Sequence, residues 1–513
     1  MGLDKRLKLR YSVTDSGPRE ESFFKGFCLS QMDWRKLFLM LTISLSGVGL
    51  SDEISFSAPP VVEAPHPLPH VSPAMERPDF WIRKVNDPDR ILLDPQEIQK
   101  MNEESLRNPA LLLCRVQEMK ETWTREEIEA FFEEDWNVFG SQSEIRYGKN
   151  GSPLSDLFWN ELRKNLNRAG LPARSLLLFA LVVERTDLRV FPTDEPGLKN
   201  PGGQDFDRFQ HASLYPGSLV GIYHVSADRR WAYIQSSFIR GWVRIESLAI
   251  AKEKREITEY LDMIERNRLV ITGNSAAVYR DPEHRELLFS VPMGNAFPMI
   301  PSSNRLTPSN GGHTIRIPSR ENDGRLRFRE AYIPKSEDVH HGFLPYTQSN
   351  LCRQAFKMLH QPYSWGERSG GRDCSRFILD LFAPFGIVMP RNSKLQAEVG
   401  VDLGSLKGKT LKEKEHILEG AIPFATTLRL PGHIMLYLGK HRGRHYAIHS
   451  IWGIETRNKG APVLLRIGKA VVSDLTLGKG GSAGSLLRRI TDIRVLARPT
   501  LLSHRQREGL QSP

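Results

Sequence analysis

The sequence predicts an α+β protein of several domains, with a helical N-terminal segment, two small β-barrels and a mixed C-terminal domain. The length of 513 residues accommodates about three or four domains of about 100–200 residues each. The hydrophobic pattern is helical up to about residue 170, changes to short alternating runs from Leu176, and becomes helical again after Pro345. These changes of period indicate where the chain passes from one kind of domain to the next.

Charge and cysteine content exclude several classes of function. The net charge of +11 is spread along the chain, which is compatible with a polyanionic partner but does not require one. No motif combines aromatic and basic residues in the RNA-binding manner, so nucleic acid is not an expected partner. The four cysteines have no CxxC spacing, so neither a disulfide framework nor a thiolate metal site is expected.

The N-terminal region has the pattern of an export signal. From Met32 the chain reads MDWRKLFLMLTISLSGVGLSDE, with a basic head, an apolar core and a small-residue stretch. Residues 32–52 are therefore predicted to be a secretory signal peptide, too short for a comfortable membrane span, with an uncleaved anchor as the alternative. Residues 1–31 are predicted to be a non-native upstream extension. We expect the protein to be exported to the periplasm or cell envelope, without a stable membrane span.

The segment before the barrels is predicted to have two parts. Residues 53–79 carry seven prolines and are predicted to be a stiff, extended linker rather than a packed unit. Residues 80–172 are predicted to be a mostly helical, clasp-like domain. Two helix starts are marked there by the sequences DPQE and TREE, which follow the capping-box pattern from Asp94 and Thr124.

Two β-rich segments and a C-terminal domain follow. Residues 173–255 alternate apolar and polar residues between turn signals, as in LLLFALVVERTDLRVFPTD and SLVGIYHVSADRRWAYIQSS, and are predicted to be a small barrel. Residues 256–340 have a similar but less regular pattern and are predicted to be a second barrel. The last domain is predicted to span residues 341–500, with a tail over 501–513.

Cys374 is the first candidate for catalysis. It lies in GGRDCSRFILDLF, where the following apolar residues recur at helical spacing and Asp373 can cap the helix start. In the first helical turn, unpaired backbone N–H groups and the helix dipole favour a thiolate. The position also lies on the apolar face, so this stretch alone leaves open whether Cys374 is a nucleophile or a core thiol. Cys114 and Cys352 are predicted to be core residues.

Two downstream histidines favour the catalytic interpretation. In PGHIMLYLGKHRGRHYAIHSIWG, His433 opens one alternating run and His449 closes the next, with a turn-forming stretch between them. A hairpin centred on His441 would place the first two directly opposite each other, with Cβ atoms about 4.5–5.5 Å apart. One imidazole can then act as base toward the thiol while the other fixes its tautomer.

These motifs resemble the NlpC/P60 family of cell-wall cysteine peptidases. The resemblance rests on PYSWGERSGGRDCSRF, GIVMPRNSKLQ, PGHIMLYLG and IHSIWG, and it covers about 80–500, most specifically 362–457. The upstream layout resembles the branch in which a helical clasp and two bacterial SH3 barrels precede the peptidase domain. The resemblance implies a papain-like domain over 341–500. It also implies hydrolysis of the bond between D-γ-glutamate and the diamino acid, meso-diaminopimelate, in peptidoglycan stem peptides.

The resemblance also assigns site residues. Cys374 would be the nucleophile, His433 the general base and His449 the orienting third member. Positions that hold the substrate, or lie near the oxyanion, correspond to Asp373, Ser375, Ser393, Tyr363 and Trp365. Glu367 and Arg376 depart from the family pattern, which usually has glycine and often a small residue there, so the exact substrate preference stays open. No cofactor or metal is implied, and the expected partners of a monomeric enzyme are stem peptides or murein fragments.

Three alternative functions fit less of the pattern. A metal hydrolase would use His441, His445 and His449, spaced four apart, but the surrounding residues predict a turn and a strand rather than a helix. A serine hydrolase would use Ser482 in GGSAG, but the preceding segment is too short and glycine-broken for a nucleophile elbow. A catalytically weak or inactive wall-binding protein is the main alternative, against which the retention of all three catalytic positions argues.

The form of the substrate depends on the first barrel. If aromatic residues of that barrel wall the cleft, we expect a trimming enzyme that needs a free N-terminal L-Ala on its substrate. If they do not, intact sacculus becomes the expected substrate. The sequence does not distinguish these two possibilities.

Overall fold

The computed structural model describes residues 59–141, 144–203, 205–301, 312–498 and 501. The predicted signal peptide, the extension before it, the start of the predicted linker and nearly all of the predicted tail lie outside these residues. The described α-helices are α1 Pro78–Ile82, α2 Pro95–Arg107, α3 Arg125–Phe139, α4 Asp156–Asn165, α5 Lys254–Arg266, α6 Gln348–Lys357, α7 Cys374–Phe382, α8 Ser393–Gln396, α9 Leu411–Leu418 and α10 Leu486–Arg489. None of the helices in the described part of the chain has the length and apolar character needed to cross a membrane.

The strands fall into two halves of the chain. Those before α5 are β1 Val61–Glu63, β2 Thr122–Thr124, β3 Arg174–Leu176, β4 Leu178–Val182, β5 Thr186–Arg189, β6 Gln210–Leu214, β7 Leu219–Val225, β8 Trp231–Gln235, β9 Arg240–Arg244 and β10 Leu248–Ile250. Those after it are β11 Arg268–Ile271, β12 Ser275–Tyr279, β13 Leu287–Pro292, β14 Ala296–Pro298, β15 His313–Arg320, β16 Leu326–Ile333, β17 Val339–His341, β18 Val401–Asp402, β19 Thr426–Leu430, β20 His433–His441, β21 Arg444–Asn458, β22 Ala461–Asp474 and β23 Asp492–Val495.

The proline-rich segment packs against the C-terminal domain, which differs from the unpacked linker predicted for residues 53–79. Strand β1 runs parallel to β22, with Val61 paired to Leu464. Leu68 and Met75 are buried in the two cores of that domain. Prolines shorten a strand but do not prevent neighbouring apolar side chains from packing. The composition of the segment also does not show that the C-terminal domain has an edge strand with which the segment can pair. We call residues 59–76 the N-terminal strap.

The helical segment over residues 80–172 shares the cores of its neighbours. Both predicted caps are present: Asp94 accepts from the backbone of the third residue of α2, and Thr124 does the same for α3. Helices α1 and α2 contribute to a core with α6 and α7, in which Trp81 is buried. Helices α3 and α4 contribute to a core with the first barrel, where Phe132 stacks on Trp242 at 5.7 Å between ring centroids. The segment therefore joins two domains, because its apolar faces are completed by different partners.

The two barrel segments have different sheet arrangements. The first is one seven-stranded sheet in the order β10-β4-β7-β8-β9-β5-β6. Its connection between β5 and β6, residues 190–209, carries Phe206 toward the C-terminal domain. In the second segment a three-stranded sheet, β14-β11-β17, and a four-stranded sheet, β13-β12-β16-β15, enclose one core.

The C-terminal domain is built on a seven-stranded sheet in the order β1-β22-β21-β20-β19-β23-β18. Helix α7 packs against β20 and β21. On the helix side, Phe377 of α7 shares a core with Ile434 and Ile448. On the other side, Met435 shares a second core with Leu68 of the strap. The start of α7 is thereby held against the start of β20.

Candidate active site

Cys374 occupies the first turn of α7, as the spacing of apolar residues predicts. The Oδ1 atom of Asp373 accepts a hydrogen bond of 2.8 Å from the backbone of Arg376, which caps the helix. The Cys374 side chain is buried at 8% exposure. Its sulfur is therefore presented at a helix N-terminus inside the protein, where a thiolate is favoured by the helix dipole and disfavoured by burial.

Burial has the larger effect on the thiol. It raises the pKa of Cys374 to about 12, and the negative charge of Asp373 acts in the same direction. The backbone N–H of Ile434 and the Arg391 guanidinium act in the opposite direction. The thiol is thus neutral at rest. Its contact with the Ile434 N–H places the thiol next to the start of β20, one residue after His433.

The two predicted histidines meet, and a third residue extends the chain. His433 Nε2 lies 2.7 Å from His449 Nδ1, and His449 Nε2 lies 2.8 Å from the Ser473 hydroxyl. Burial lowers the pKa of His433 well below its usual value, and that of His449 to about 3. Both rings are therefore neutral. If His433 Nε2–H donates to His449 and His449 Nε2–H donates to Ser473, then Nδ1 of His433 is left as the basic nitrogen.

The strand register that brings the histidines together differs from the predicted one. Leu436 pairs with Ile448 rather than with Tyr446, and the chain reverses at Arg442 and Gly443 instead of being centred on His441. The histidines are consequently diagonal neighbours on one face, a separation that ring side chains still bridge. The main reason is the later turn, and the β-bulge between Tyr437 and Gly439 then moves the pairing back by one residue, which returns the two histidines to the same face. Sequence reasoning missed Ser473, since it lies on β22 and only the register identifies it.

Tyr363 lies close to the thiol. Burial raises the pKa of its hydroxyl well above the usual value, and the negative charges of Cys374, when it is ionised, and of Asp373 raise it further. The hydroxyl therefore stays protonated and can donate a hydrogen bond. This is the property required of a group that stabilises an oxyanion.

Asp373 and Ser375 are bonded within the protein. The Asp373 carboxylate receives five hydrogen bonds, two of them from Arg391 and the others from Ser375 Oγ and the backbone N–H groups of Gly366 and Arg376. Although burial alone would raise it, the Arg391 guanidinium holds the pKa of Asp373 below its usual value. A carboxylate has about four acceptor positions, so a substrate ammonium would have to displace one of these donors. The predicted amine contact of Asp373 stays a prediction.

Glu367 and Arg376, the two departures from the family pattern, are partners. Their side chains are buried and lie 2.8 Å apart from Glu367 Oε2 to Arg376 Nη1. Glu367 also pairs with Arg391 and accepts a bond of 3.0 Å from the Ser213 N–H of the first barrel. Arg376 Nε lies 2.5 Å from Asp380. The two departures are thus complementary charges, which the sequence shows only as two unrelated substitutions.

The first barrel clamps the loop that precedes Cys374. Gln210 donates to the Gly366 carbonyl at 2.9 Å, and Arg185 donates to the Glu367 carbonyl at 2.6 Å. Phe206 lies at the centre of an aromatic cluster. Its ring centroid is 5.4 Å from that of Trp365, 5.2 Å from Trp452 and 6.3 Å from Tyr363.

Ser393 is half-buried and begins α8, two residues after Arg391.

The residues of the two rival catalytic interpretations lie in other surroundings. His441 and His445 are on strands, not on one helix face, and Nδ1 of His445 is bonded to the Tyr437 hydroxyl at 2.8 Å. Ser482 lies in a turn, and its hydroxyl donates to Glu455 at 2.7 Å. Neither arrangement contains the helix or the strand–turn–helix that those interpretations require.

Two family models match parts of this chain. One is the NlpC/P60 family, over residues 360–459, and the other is an SH3 domain of the SH3b1 type, over residues 196–244. The first range contains Cys374, His433 and His449. The second range lies within the first barrel.

Known proteins resemble the chain over different lengths. A γ-D-glutamyl-L-lysine dipeptidyl-peptidase of Bacillus cereus is 25% identical over 188 residues, which are 35% of this chain and only half of that relative. The structure of an NlpC/P60 endopeptidase from Photobacterium damselae subsp. piscicida has a TM-score of 0.66 at 19% identity, over 81% of this chain and 96% of that one. An NlpC/P60 family protein from Bacillus cereus has a TM-score of 0.42 at 14% identity, over 62% and 100%. The predicted α+β multidomain class, with an NlpC/P60 and an SH3 domain, is confirmed.

Proposed function

We propose that this chain, which carries an NlpC/P60 domain, is a cysteine peptidase that cleaves peptidoglycan stem peptides between D-γ-glutamate and the L-diamino acid, meso-diaminopimelate. The observation that carries the proposal is the arrangement around Cys374. A thiol at the start of a buried helix lies beside the strand residue after His433, and that histidine is bonded to His449. The relative that cleaves γ-D-glutamyl-L-lysine supports the choice of bond.

The mechanism begins from the neutral thiol and the neutral imidazole. His433 accepts the proton of Cys374 while the sulfur attacks the γ-glutamyl carbonyl, so that no free thiolate has to exist in the buried site. The His433 ring becomes positively charged, and the bond of its Nε2–H to His449 leaves Nδ1 as the nitrogen that takes up the proton. The Ser473 hydroxyl holds the second ring in turn.

The tetrahedral intermediate requires donors for its oxyanion. The backbone N–H of Cys374 is one of the unpaired groups at the start of α7, and the protonated Tyr363 hydroxyl is the second donor. His433 returns the proton to the amine of the departing diamino acid. Water, activated by the same histidine, then hydrolyses the thioester and restores the Cys374 thiol.

The contacts of the first barrel favour small substrates over intact sacculus. Phe206 packs on Trp365 and Trp452 next to the site, and the Gly366 loop is bonded to the barrel. A wall of this kind limits how far the peptide can extend on the side of its N-terminus. We therefore assign free muropeptides with an N-terminal L-Ala as the substrate. Residues 32–52 would direct export of the protein to the compartment in which these muropeptides occur.

The test uses the tripeptide L-Ala-γ-D-Glu-meso-diaminopimelate, its N-acetylated form and intact peptidoglycan, with products identified by mass spectrometry. We expect the free tripeptide to yield L-Ala-D-Glu and diaminopimelate, and the other two to react at least about tenfold more slowly. Cys374→Ser should abolish hydrolysis. The matched control is Cys114→Ser, because this half-buried cysteine belongs to another core. Hydrolysis by Cys374→Ser would refute the nucleophile.

The second candidate function is a wall-binding protein with weak or no catalysis. The raised pKa of the Cys374 thiol favours it, because a buried neutral thiol is a poor nucleophile without an effective base. In the same assay, this function predicts that the wild-type protein sediments with peptidoglycan but releases no diaminopimelate from any of the three substrates.

A further inference from the structure

We infer that the N-terminal strap and the C-terminal domain together form a binding site for one divalent transition-metal ion, with Zn²⁺ as the best fit. The ligands are His66 and Glu76 of the strap and His360, which follows α6 in the sequence. Their potential ligand atoms all lie within 4.8 Å of one another. The site is outside the catalytic residues and is independent of the proposed peptidase function.

The separations fit a shared ion better than direct contacts. The nearest Glu76 oxygen lies 3.7 Å from His66 Nε2 and 3.9 Å from His360 Nε2. Both distances are too long for a hydrogen bond. Zn²⁺ holds nitrogen and oxygen at about 2.0–2.2 Å, which places two tetrahedral ligand atoms about 3.4 Å apart. Small side-chain rotations therefore convert this triangle into three ligands of a tetrahedral ion.

The chemical character of the three groups is that of a zinc site. Two imidazoles and one carboxylate are a common ligand set for zinc with an open fourth position. The two imidazole rings already meet edge to face, with centroids 4.9 Å apart.

A cavity of about 150 Å³ adjoins the two strap ligands. His66 and Glu76 line it together with Arg466 and Lys469 of β22. With one carboxylate among its ligands, a bound Zn²⁺ leaves a net positive charge, and the two basic side chains add to it. The fourth position is therefore suited to hydroxide or to a small carboxylate or phosphate anion, and not to a further cation.

The ion would fasten the strap to the peptidase domain. Without it, the described backbone pairing of the strap with β22 is short, from Val61 to Glu63. Two ligands from the strap and one from the domain would add a cross-link to the burial of Leu68 and Met75. Metal binding is then linked to docking of the strap, and each should stabilise the other.

The test measures Zn²⁺ binding to the full chain by isothermal titration and by metal analysis after gel filtration. Cys374→Ser protein is measured alongside, so that zinc held by the active-site thiol is not counted. We expect one Zn²⁺ per chain in both proteins, and at least about tenfold weaker binding after Glu76→Ala or His360→Ala. The matched control is His416→Ala, because His416 is also exposed and lies 3.6 Å from a glutamate, Glu419, but has no third ligand among the residues that the structure describes.

A second measurement reports on the strap itself. Hydrogen exchange of the backbone amides of residues 61–64 should slow by at least about tenfold when Zn²⁺ is added to the wild-type protein, and should not change in Glu76→Ala. No zinc uptake, or uptake unaffected by Glu76→Ala and His360→Ala, would overturn the proposal. The peptidase assay tests the proposed function separately from this site.

Discussion

Burial of Cys374 and His433 controls the chemistry of the candidate site at the scale of single residues. It raises the pKa of the thiol and lowers the pKa of the imidazole, so the neutral pair is the resting state. Proton transfer from Cys374 to His433 creates a negative and a positive charge, and it is easiest when groups that stabilise each charge are already in place. The His449 ring and the Ser473 hydroxyl supply one such partner.

This pair of shifts predicts an unusual pH dependence. His433 must be neutral to accept a proton, so activity is lost only as the pH falls through its lowered pKa. We expect kcat/KM for the free tripeptide to stay within about twofold from pH 8 to pH 5.5, whereas an ordinary histidine would lose half its activity near pH 6.5. Circular dichroism at each pH is the control, since buried neutral histidines destabilise the fold in acid. A half-maximal rate between pH 6 and 7 would contradict this prediction.

The buried pair of Glu367 and Arg376 provides a second prediction. Arg376→Ala leaves Glu367 and Asp380 each with one positive partner fewer in a buried site, and should destabilise the protein by about 3 kcal/mol. Adding Glu367→Gly removes the excess charge and suits the backbone, whose φ is +60° there. The double variant should therefore lose about 1–3 kcal/mol less free energy of unfolding than the two single variants lose in total.

Urea unfolding followed by tryptophan fluorescence measures this coupling. The matched control is Arg280→Ala in the second β-rich segment, where Arg280 and Glu286 form an exposed pair at 2.7 Å. This control should cost less than about 1 kcal/mol. Additive effects of Arg376→Ala and Glu367→Gly would show that the two residues do not compensate each other.

At the scale of elements, the strap is a structural part of the C-terminal domain. Leu68 is 4% exposed and packs in the core on the far side of the sheet from α7. Leu68→Ala should therefore destabilise the protein by about 2–5 kcal/mol. The control Val62→Ala changes a residue of β1 that is 37% exposed, and should cost less than about 1 kcal/mol. Equal shifts of the thermal unfolding midpoint for both variants would mean that the strap does not contribute to the core.

At the scale of the whole molecule, the first barrel packs against the loop that precedes Cys374. Its Phe206 is half-buried among Tyr363, Trp365 and Trp452. Its backbone at Ser213 and side chains at Arg185 and Gln210 hold the loop around Glu367. The barrel thus reaches the catalytic site by contacts that cross more than 100 residues of sequence.

Removal of the Phe206 ring should widen the cleft. We expect Phe206→Ala to raise KM for the free tripeptide by about 2–10-fold, the equivalent of one lost aromatic contact. The discrimination against the N-acetylated tripeptide should fall at the same time. Phe289→Ala is the matched control, because Phe289 is a half-buried phenylalanine of the second β-rich segment. Unchanged discrimination in Phe206→Ala would show that this ring does not limit the substrate.

The features that the sequence alone determined are local ones. Asp373 caps α7, the apolar spacing places Cys374 in its first turn, and the alternating runs place His433 and His449 on adjacent strands. Each of these follows from hydrogen bonds within one turn of helix or from the period of a single strand. Such interactions join residues only a few positions apart, so the local sequence is sufficient to predict them.

Only the tertiary structure decided which of these pieces meet. The position of the turn and a β-bulge together made the histidines diagonal, β22 supplied Ser473, and α7 brought Arg376 to Glu367. Strand β1 of the strap pairs with β22, about 400 residues away in the sequence. Strand register, charge pairing across domains and edge pairing depend on the combined packing of distant segments. No short stretch of the sequence contains that information, because the energy of each contact depends on both partners being in place.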